Sequence, residues 1–592
     1  MSYRLPLPLL LDAAWRLGPR PVFWAAWHRA PLGQALLRRA LANPSAATPT
    51  APWPSTAPPE PPPNLPTAHT AAILSRAAQL HATLASPPNW HGAYPASQPA
   101  ASLNLFHAGD IRPIWERNRW AELPLLAQAQ RLAPVANHAA QAQALLADWC
   151  HQNPAFRGPN WACGQEAALR TLHLCLALAL LGAAPNPGAQ ALLTLHAQRI
   201  AAAPGYAAAQ DNNHPISEAA GLLAIGLALG QPPLIRRGTA RLNRHILRLV
   251  SPCGAFAQAS TGYHRLLLDV VALTQWLAQH HAHPGLSPAA RTRMAAATTL
   301  LWRLTCPSTG ATPRLGHQDG SAFADLALAG PNDARPSLER AARLFLGHGA
   351  GLGPEPGCAW LTLPTPHPGK GFTSSPHWQA AGLQGWATPS ARAFLRTGPL
   401  RFRPAHADLL HLDLWDHAGN LLRDGGTGAY NPPPAQGWWL HALAGSTGHN
   451  SITFNDAEQM PRLSRFLFAR WPAAGPLPQG GWVRDHHGNH HSRTVTPNDN
   501  TWLIEDHIAG PFRHLALRWR LAAEDWRLTP TGITSPRASL SLTANAPLTL
   551  SLEQGWESPA YGQVKPAPVL VARARAPVSR LATLVNLTTP AG

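Results

Sequence analysis

Two groups of residues, far apart in the chain, concentrate polar and titratable side chains in a sequence otherwise dominated by Ala, Leu and Pro. One is Asp211-Asn212-Asn213-His214; the other is His406-Ala407-Asp408 with Asp424-Gly425-Gly426 and His449-Asn450. Amide and imidazole groups at the start of a helix can bind an anion, because free N–H groups and the helix dipole favour negative charge there. Pro215 and the run Ile216 to Leu223 mark such a helix, and plain N-capping by Asp211 or an Asn explains the tetrapeptide as well. In His406-Ala407-Asp408, period-two alternation would put both polar side chains on one face of a strand. Asp408, Asp424 and His449 then make a ligand set suited to zinc, manganese or calcium; a buried hydrogen-bonded network fits the same spacing.

Ser260-Thr261-Gly262-Tyr263-His264-Arg265 opens a second helical run. Tyr263 reads either as a buried aromatic or as a proton-transfer group whose phenolic proton a neighbouring Arg and His would loosen. The tract His486-His487-Gly488-Asn489-His490-His491 reads as a turn between strands, with His490 or Arg493 able to face a cleft. No phosphate loop, dinucleotide fingerprint or Gly-x-Ser-x-Gly elbow occurs. The six cysteines are scattered without CxxC spacing and read as buried thiols.

The elements that must position these groups fall into two patterns. Apolar residues recur at helical spacing in 69–85, 121–132, 137–150, 164–182, 188–203, 215–229, 233–250, 262–281, 287–304 and 335–346. Helices in series with short joints pair antiparallel and close into a toroid or extend as a solenoid, and the absence of a fixed repeat counts against a regular solenoid. After about residue 390 short alternating runs separated by Gly, Pro, Asn and Asp turns predict an antiparallel β-sandwich. The expected fold is multidomain α+β: a basic helical segment and Pro-rich linker (1–66), an α/α toroid (67–385) and a β-sandwich (386–592). The ligand cleft is expected where the last two meet.

Residues 1–42 hold six arginines against the single acid Asp12, with Trp15, Trp24 and Trp27 interspersed. They form amphipathic helices that pack on the body or make peripheral contact with a membrane surface. Residues 43–66 read as an extended Pro/Ala linker. The longest apolar runs fall short of the ~20 residues needed to cross a bilayer, so no transmembrane segment is expected. The short, proline-interrupted apolar start is not a clear signal peptide, which points to the cytoplasm, with the cell envelope or periplasm as the alternative.

The 592 residues carry a formal charge of +18, nearly all of it arginine, since Lys370 and Lys565 are the only lysines. Arginine grips carboxylate or sulfate bidentately, so an acidic partner is expected. Uronic-acid polymers and nucleic acids both fit that description, though no nucleic-acid motif or aromatic platform accompanies the charge.

In order and approximate separation, several of these motifs resemble the heparinase II/III-like polysaccharide lyases over roughly residues 100 to 590. They are Asn160-Trp161 with Glu166 and Arg170, Asp211 to His214 with Glu218, Tyr263-His264, Gly316-His317-Gln318-Asp319-Gly320, the His406 strand, Asp424-Gly425-Gly426-Thr427 with Tyr430-Asn431, and His449-Asn450. The resemblance implies an incomplete α/α toroid followed by an antiparallel β-sandwich, and β-elimination at a uronic acid, with a non-catalytic glycan-binding or envelope-biogenesis protein as the alternative. It implies that Asn213 and His214 neutralise the substrate carboxylate and that Tyr263 and His406 transfer protons. Trp161, Glu166, Arg170, Glu218 and Tyr430 would contact substrate. Asp408, Asp424 and His449 would hold one structural divalent metal, zinc by family habit; Asp408 stands where relatives often carry His.

Overall fold

Each of the ten helical windows forms a helix in the computed structural model, which describes residues 6–84, 88–366 and 371–588. Residue 85, the last of the window 69–85, lies outside the described residues, as do residues 1–5 of the expected N-terminal segment. Helices Gly164–Leu180, Asn213–Ala228 and Thr261–His280 are buried along almost their whole length, whereas Pro232–Leu249 buries one stripe and exposes its arginines. That alternation of wholly apolar and amphipathic helices is what an inner and an outer ring require. Successive inner and outer helices pack as antiparallel pairs to give the toroid. Four short α-helices escaped the periodicity: Arg112–Arg117, Pro204–Gln210, Gly357–Trp360 and, in the sandwich, Trp439–Ala442. Each has seven residues or fewer, too short to show a period.

Strands begin at His377–Ala380. A five-stranded antiparallel meander runs to Gly419–Leu422. An eight-stranded antiparallel sheet, with Thr501–Ala509 near its centre, faces a four-stranded one containing His514–Arg520. A bridge between Leu422 and Leu521 ties the meander to the four-stranded sheet. One apolar core fills the space between, with Trp502, Ile504 and Val585 from the large sheet against Leu412, Leu517, Trp519 and Leu570 from the other layer.

Residues 43–66 correct the linker reading. The segment is extended, as its prolines dictate, but it is bonded to the toroid. Trp53 is buried in the main core, and its indole and backbone N–H groups donate to Gln130 and Gln143. Asn186 donates to the carbonyls of Ala51 and Trp53. The helices ahead of it, Leu7–Leu17, Pro19–Arg29 and Pro31–Ala40, clasp both domains. Leu9 and Ala13 pack on Leu463 and Ala469 of the sandwich. Trp24 lies so close to Gly205 of the toroid that a Cβ there would sit 2.3 Å from its ring. No described helix is long and apolar enough to cross a membrane.

Candidate active site

The toroid and the sandwich meet along a cleft of about 200 Å³, open to solvent. Its width is fixed by bonds across the junction. Gln318 N–H donates to Thr427 Oγ1 at 2.7 Å, Asn431 Nδ2 donates to the Gly109 carbonyl at 2.7 Å, and the Tyr561 hydroxyl donates to Asp110.

The tetrapeptide 211–214 divides its labour. Asp211 ends the preceding helix in a left-handed conformation (φ 43°) and its carboxylate is held by Arg248 at 2.9 and 2.6 Å. Asn212 is the helix cap, its Oδ1 accepting from His214 N at 3.0 Å. This leaves Asn213 and His214 on the cleft wall. Asn213 Nδ2 is buried without a partner among the described residues, a donor set to receive a ligand oxygen. His214 Nδ1 lies 3.8 Å from the Cys163 sulfur, and burial pushes its pKa down to about 4, so the imidazole is neutral.

Tyr263 stands in the first turn of helix Thr261–His280, where Ser260 Oγ accepts from its backbone N–H at 3.1 Å. Its hydroxyl donates to Asp319 Oδ2 at 2.9 Å and lies 3.0 Å from the Tyr430 hydroxyl. Burial and the Asp319 charge both push the phenol's pKa well up. Burial pushes Asp319 up as well, but Arg112, donating to it at 2.8 Å, outweighs this and keeps it ionised. The expectation that sequence neighbours would loosen the Tyr263 proton is therefore corrected. Residues one and two positions on along a helix point elsewhere: His264 bonds the Ala297 carbonyl and Arg265 donates to Ser337.

The structure adds a residue that sequence reasoning missed. Arg403 lines the cleft, has no ion pair among the described residues, and keeps its buried Nε without a partner. Its one bond is from Nη2 to the Ala209 carbonyl at 3.3 Å. The other cleft arginines are engaged: Arg112 with Asp319, and Arg119 in a two-pronged pair with Glu166 at 2.8 Å on each prong.

Several expected contacts fall elsewhere. Tyr430 and Glu166 line the cleft. Trp161 and Arg170 do not: both are buried, with the Arg170 guanidinium boxed by the Trp120, Trp149 and Trp161 rings and donating to the Asn160 carbonyl. They shape the wall from behind. Glu218 is also behind the wall, packed where only Gly164 leaves it room, and burial pushes its pKa up to about 8. Arg493 is fully buried in the sandwich, held by Asp506 at 2.7 Å, and does not face the cleft.

The 406–408 reading is corrected too. Regular strand starts only at Leu412, and the residues before it bend, with Leu410 at φ 61°. Alternation therefore does not apply, and His406 and Asp408 part company. Asp408 turns to Arg396, 3.7 Å away. His406 is sealed behind His317, ring centroids 5.4 Å apart, and is absent from the cleft lining. It joins Asp424 and His449 instead, with ligand atoms of the three residues within 4.8 Å of one another. Both His406 ring nitrogens and His449 Nε2 are buried without partners, while Asp424 accepts from His449 Nδ1 at 2.9 Å. Burial would raise Asp424, but His449, His411 and His406 outweigh it and hold it well below the carboxylate range. Two imidazoles and an ionised carboxylate with orphaned buried nitrogens fit a divalent metal.

An α/α toroid closed by an antiparallel β-sandwich is an architecture shared with several solved lyases. One titled heparinase III aligns with 99% of this chain and 94% of its own at 13% identity and a TM-score of 0.66. Heparan sulfate lyase HepC from Pedobacter heparinus aligns over 93% and 87% at 16% identity and 0.55. A chondroitin AC lyase from Streptomyces coelicolor A3, solved with chondroitin sulphate, aligns over 94% and 83% at 13% identity and 0.50. No curated protein matches the sequence. Residues 372–586 match the family described as Heparinase II/III-like, C-terminal. That match lies within the strand-rich C-terminal part of the chain and identifies it as a Heparinase II/III-like C-terminal domain.

Proposed function

We propose that this chain is a polysaccharide lyase that cleaves an acidic, uronate-containing glycan by β-elimination. One observation carries the reading: an unpartnered amide donor (Asn213) and an unpaired guanidinium (Arg403) face the same cleft as the Tyr263 phenol. Asn213 and Arg403 bind the uronate carboxylate and stabilise the charge that grows on it as the C5 proton leaves. The neutral His214 imidazole accepts that proton. The C5–H electron pair forms the C4=C5 bond, the C4–O4 bond breaks, and Tyr263, held protonated by Asp319, donates its proton to the departing O4. Donation leaves a phenolate beside Asp319, and reprotonation from solvent or from His214 restores the site.

His406, Asp424 and His449 would hold a divalent metal, which supplies structural cross-linking of the sandwich loops behind the cleft. In this reading Asp408 and Arg396 support the loop and do not bind the ion. Hydrolysis is disfavoured because Glu166 is locked by Arg119 and Glu218 is turned away, so no carboxylate pair flanks a glycosidic bond.

A second reading, a glycan-binding protein without catalysis, draws on the same Tyr263–Asp319 bond, which resists release of the proton. Incubating the purified protein with a panel of uronate polymers separates the two. New chain ends that absorb in the ultraviolet, as a C4=C5 unsaturated uronate does, support the lyase. Binding without new ends across the panel supports the second reading, and saturated ends defeat both.

A further inference from the structure

The N-terminal helices keep an apolar face that the rest of the molecule does not cover. Helix Leu7–Leu17 is apolar on two sides. Leu9, Ala13 and Leu17, one stripe at four-residue spacing, pack on the sandwich. Leu7, Leu11 and Trp15 form a second stripe about 200° away around the helix. That stripe faces solvent, with Trp15 86% exposed. Phe23 on helix Pro19–Arg29 and Leu32 and Leu36 on helix Pro31–Ala40 continue the pattern. Of the thirteen large hydrophobic side chains exposed among the described residues, seven lie between Leu7 and Leu36. Such a concentration on three helices, each packed on the next, marks an interaction surface.

Charge selects the partner. Arg20, Arg29, Arg38 and Arg39 accompany the apolar stripes and have no ion pairs among the described residues. The segment's single acid is spent, because Asp12 accepts from Arg16 at 2.9 Å and from the Arg470 backbone N–H. Helix Pro232–Leu249 lies beside this surface, so that Arg20 feels the positive charge of Arg248 and Arg244, and it exposes Arg236 and Arg237. A protein partner would have to be both apolar and strongly acidic. A bilayer with anionic headgroups offers both properties at once, and tryptophan and arginine are the side chains suited to its interface.

We propose that helices 7–40 dock this protein on the surface of an anionic membrane without crossing it. Helix Pro19–Arg29 also backs Pro204–Gln210, whose Tyr206 and Gln210 line the cleft, so docking would hold the cleft close to the bilayer. The proposal does not depend on the cleft's chemistry.

Sedimentation of the full chain with vesicles of phosphatidylcholine alone, or mixed with phosphatidylglycerol, tests it. The expected result is binding to the mixed vesicles only, weakened by salt, with partitioning down at least about tenfold in a Leu11→Ser, Trp15→Ser variant. Both residues are exposed, so the variant should melt as the parent does, and Val135→Ser, at an exposed site elsewhere, should bind as the parent does. Equal binding to both vesicle types, or binding unchanged in the double variant, overturns the proposal. So does a concentration-dependent dimer that forms without vesicle binding and is lost in the double variant, which would make a second copy of the chain the occupant of this face. A monomer that ignores vesicles overturns it too.

Discussion

Asn213, His214 and Arg403 line the cleft, and Asn213 Nδ2 and Arg403 Nε lack partners among the described residues, whereas behind the wall His406, Asp424 and His449 turn toward one another and stay out of the lining. Both regions use imidazole and other polar side chains, and burial lowers the pKa of His214 and His406 alike. The difference is access. A group that moves a proton must reach the reacting atom, while a group sealed in a loop cluster can only hold that cluster together or hold an ion within it. On the proposed function, chemistry belongs to the cleft wall, built from the toroid's helix starts and Arg403 of the sandwich, and support to the cluster behind it.

The comparison can be broken from the cleft side first. Replacing Tyr263 with Phe removes the proton donor and little volume; kcat/KM should fall about 10²- to 10⁴-fold with glycan affinity retained, read by initial rates and calorimetry. An active variant would move the acid elsewhere. Asn213→Ala should lower kcat about 10²- to 10³-fold, as loss of one donor to a developing oxyanion does. A change confined to KM would instead make Asn213 a ground-state contact.

Behind the wall, Glu218 tests whether burial there is structural. Its folded pKa, about 8, stands above the ordinary value of 4.5. The folded state therefore holds a proton that the unfolded state releases, and stability falls as pH rises from 4.5 toward 8. Glu218→Gln should remove that slope and gain on the order of a few kcal/mol relative to the parent above pH 8, by thermal or urea unfolding. The smallest effect is expected at Arg403→Ala: a fall in kcat/KM of about tenfold, shared between kcat and KM, because Asn213 still stabilises the growing charge.

Much of the scaffold was legible because periodicity is a local property. The helix starts at Asn213 and Thr261 were readable from their Asn and Ser caps and the runs that follow, and strand Thr501–Ala509 from its alternation. What failed was any inference from spacing where the chain is irregular. His406-Ala407-Asp408 looked like alternation but precedes the strand, so the cluster that could hold an ion joins His406, and not Asp408, to Asp424 and His449. Trp161 and Arg170 belonged to the right neighbourhood and the wrong side of the wall. Arg403 carried no signal, because one arginine among many is distinguished only by lacking a partner, and that is a tertiary fact. The Pro-rich stretch was rightly extended and wrongly free, since composition does not show the toroid's Gln130, Gln143 and Asn186 waiting for it.

The division of labour is tested most directly by measuring kcat, melting temperature and bound metal side by side for Tyr263→Phe and His406→Ala. The account predicts that Tyr263→Phe loses turnover while melting and metal content stay with the parent. It predicts that His406→Ala loses metal and melts lower, while its folded fraction keeps most of its turnover. A His406→Ala protein that melts and binds metal as the parent does but has no turnover, beside a Tyr263→Phe protein that still cleaves, would contradict it.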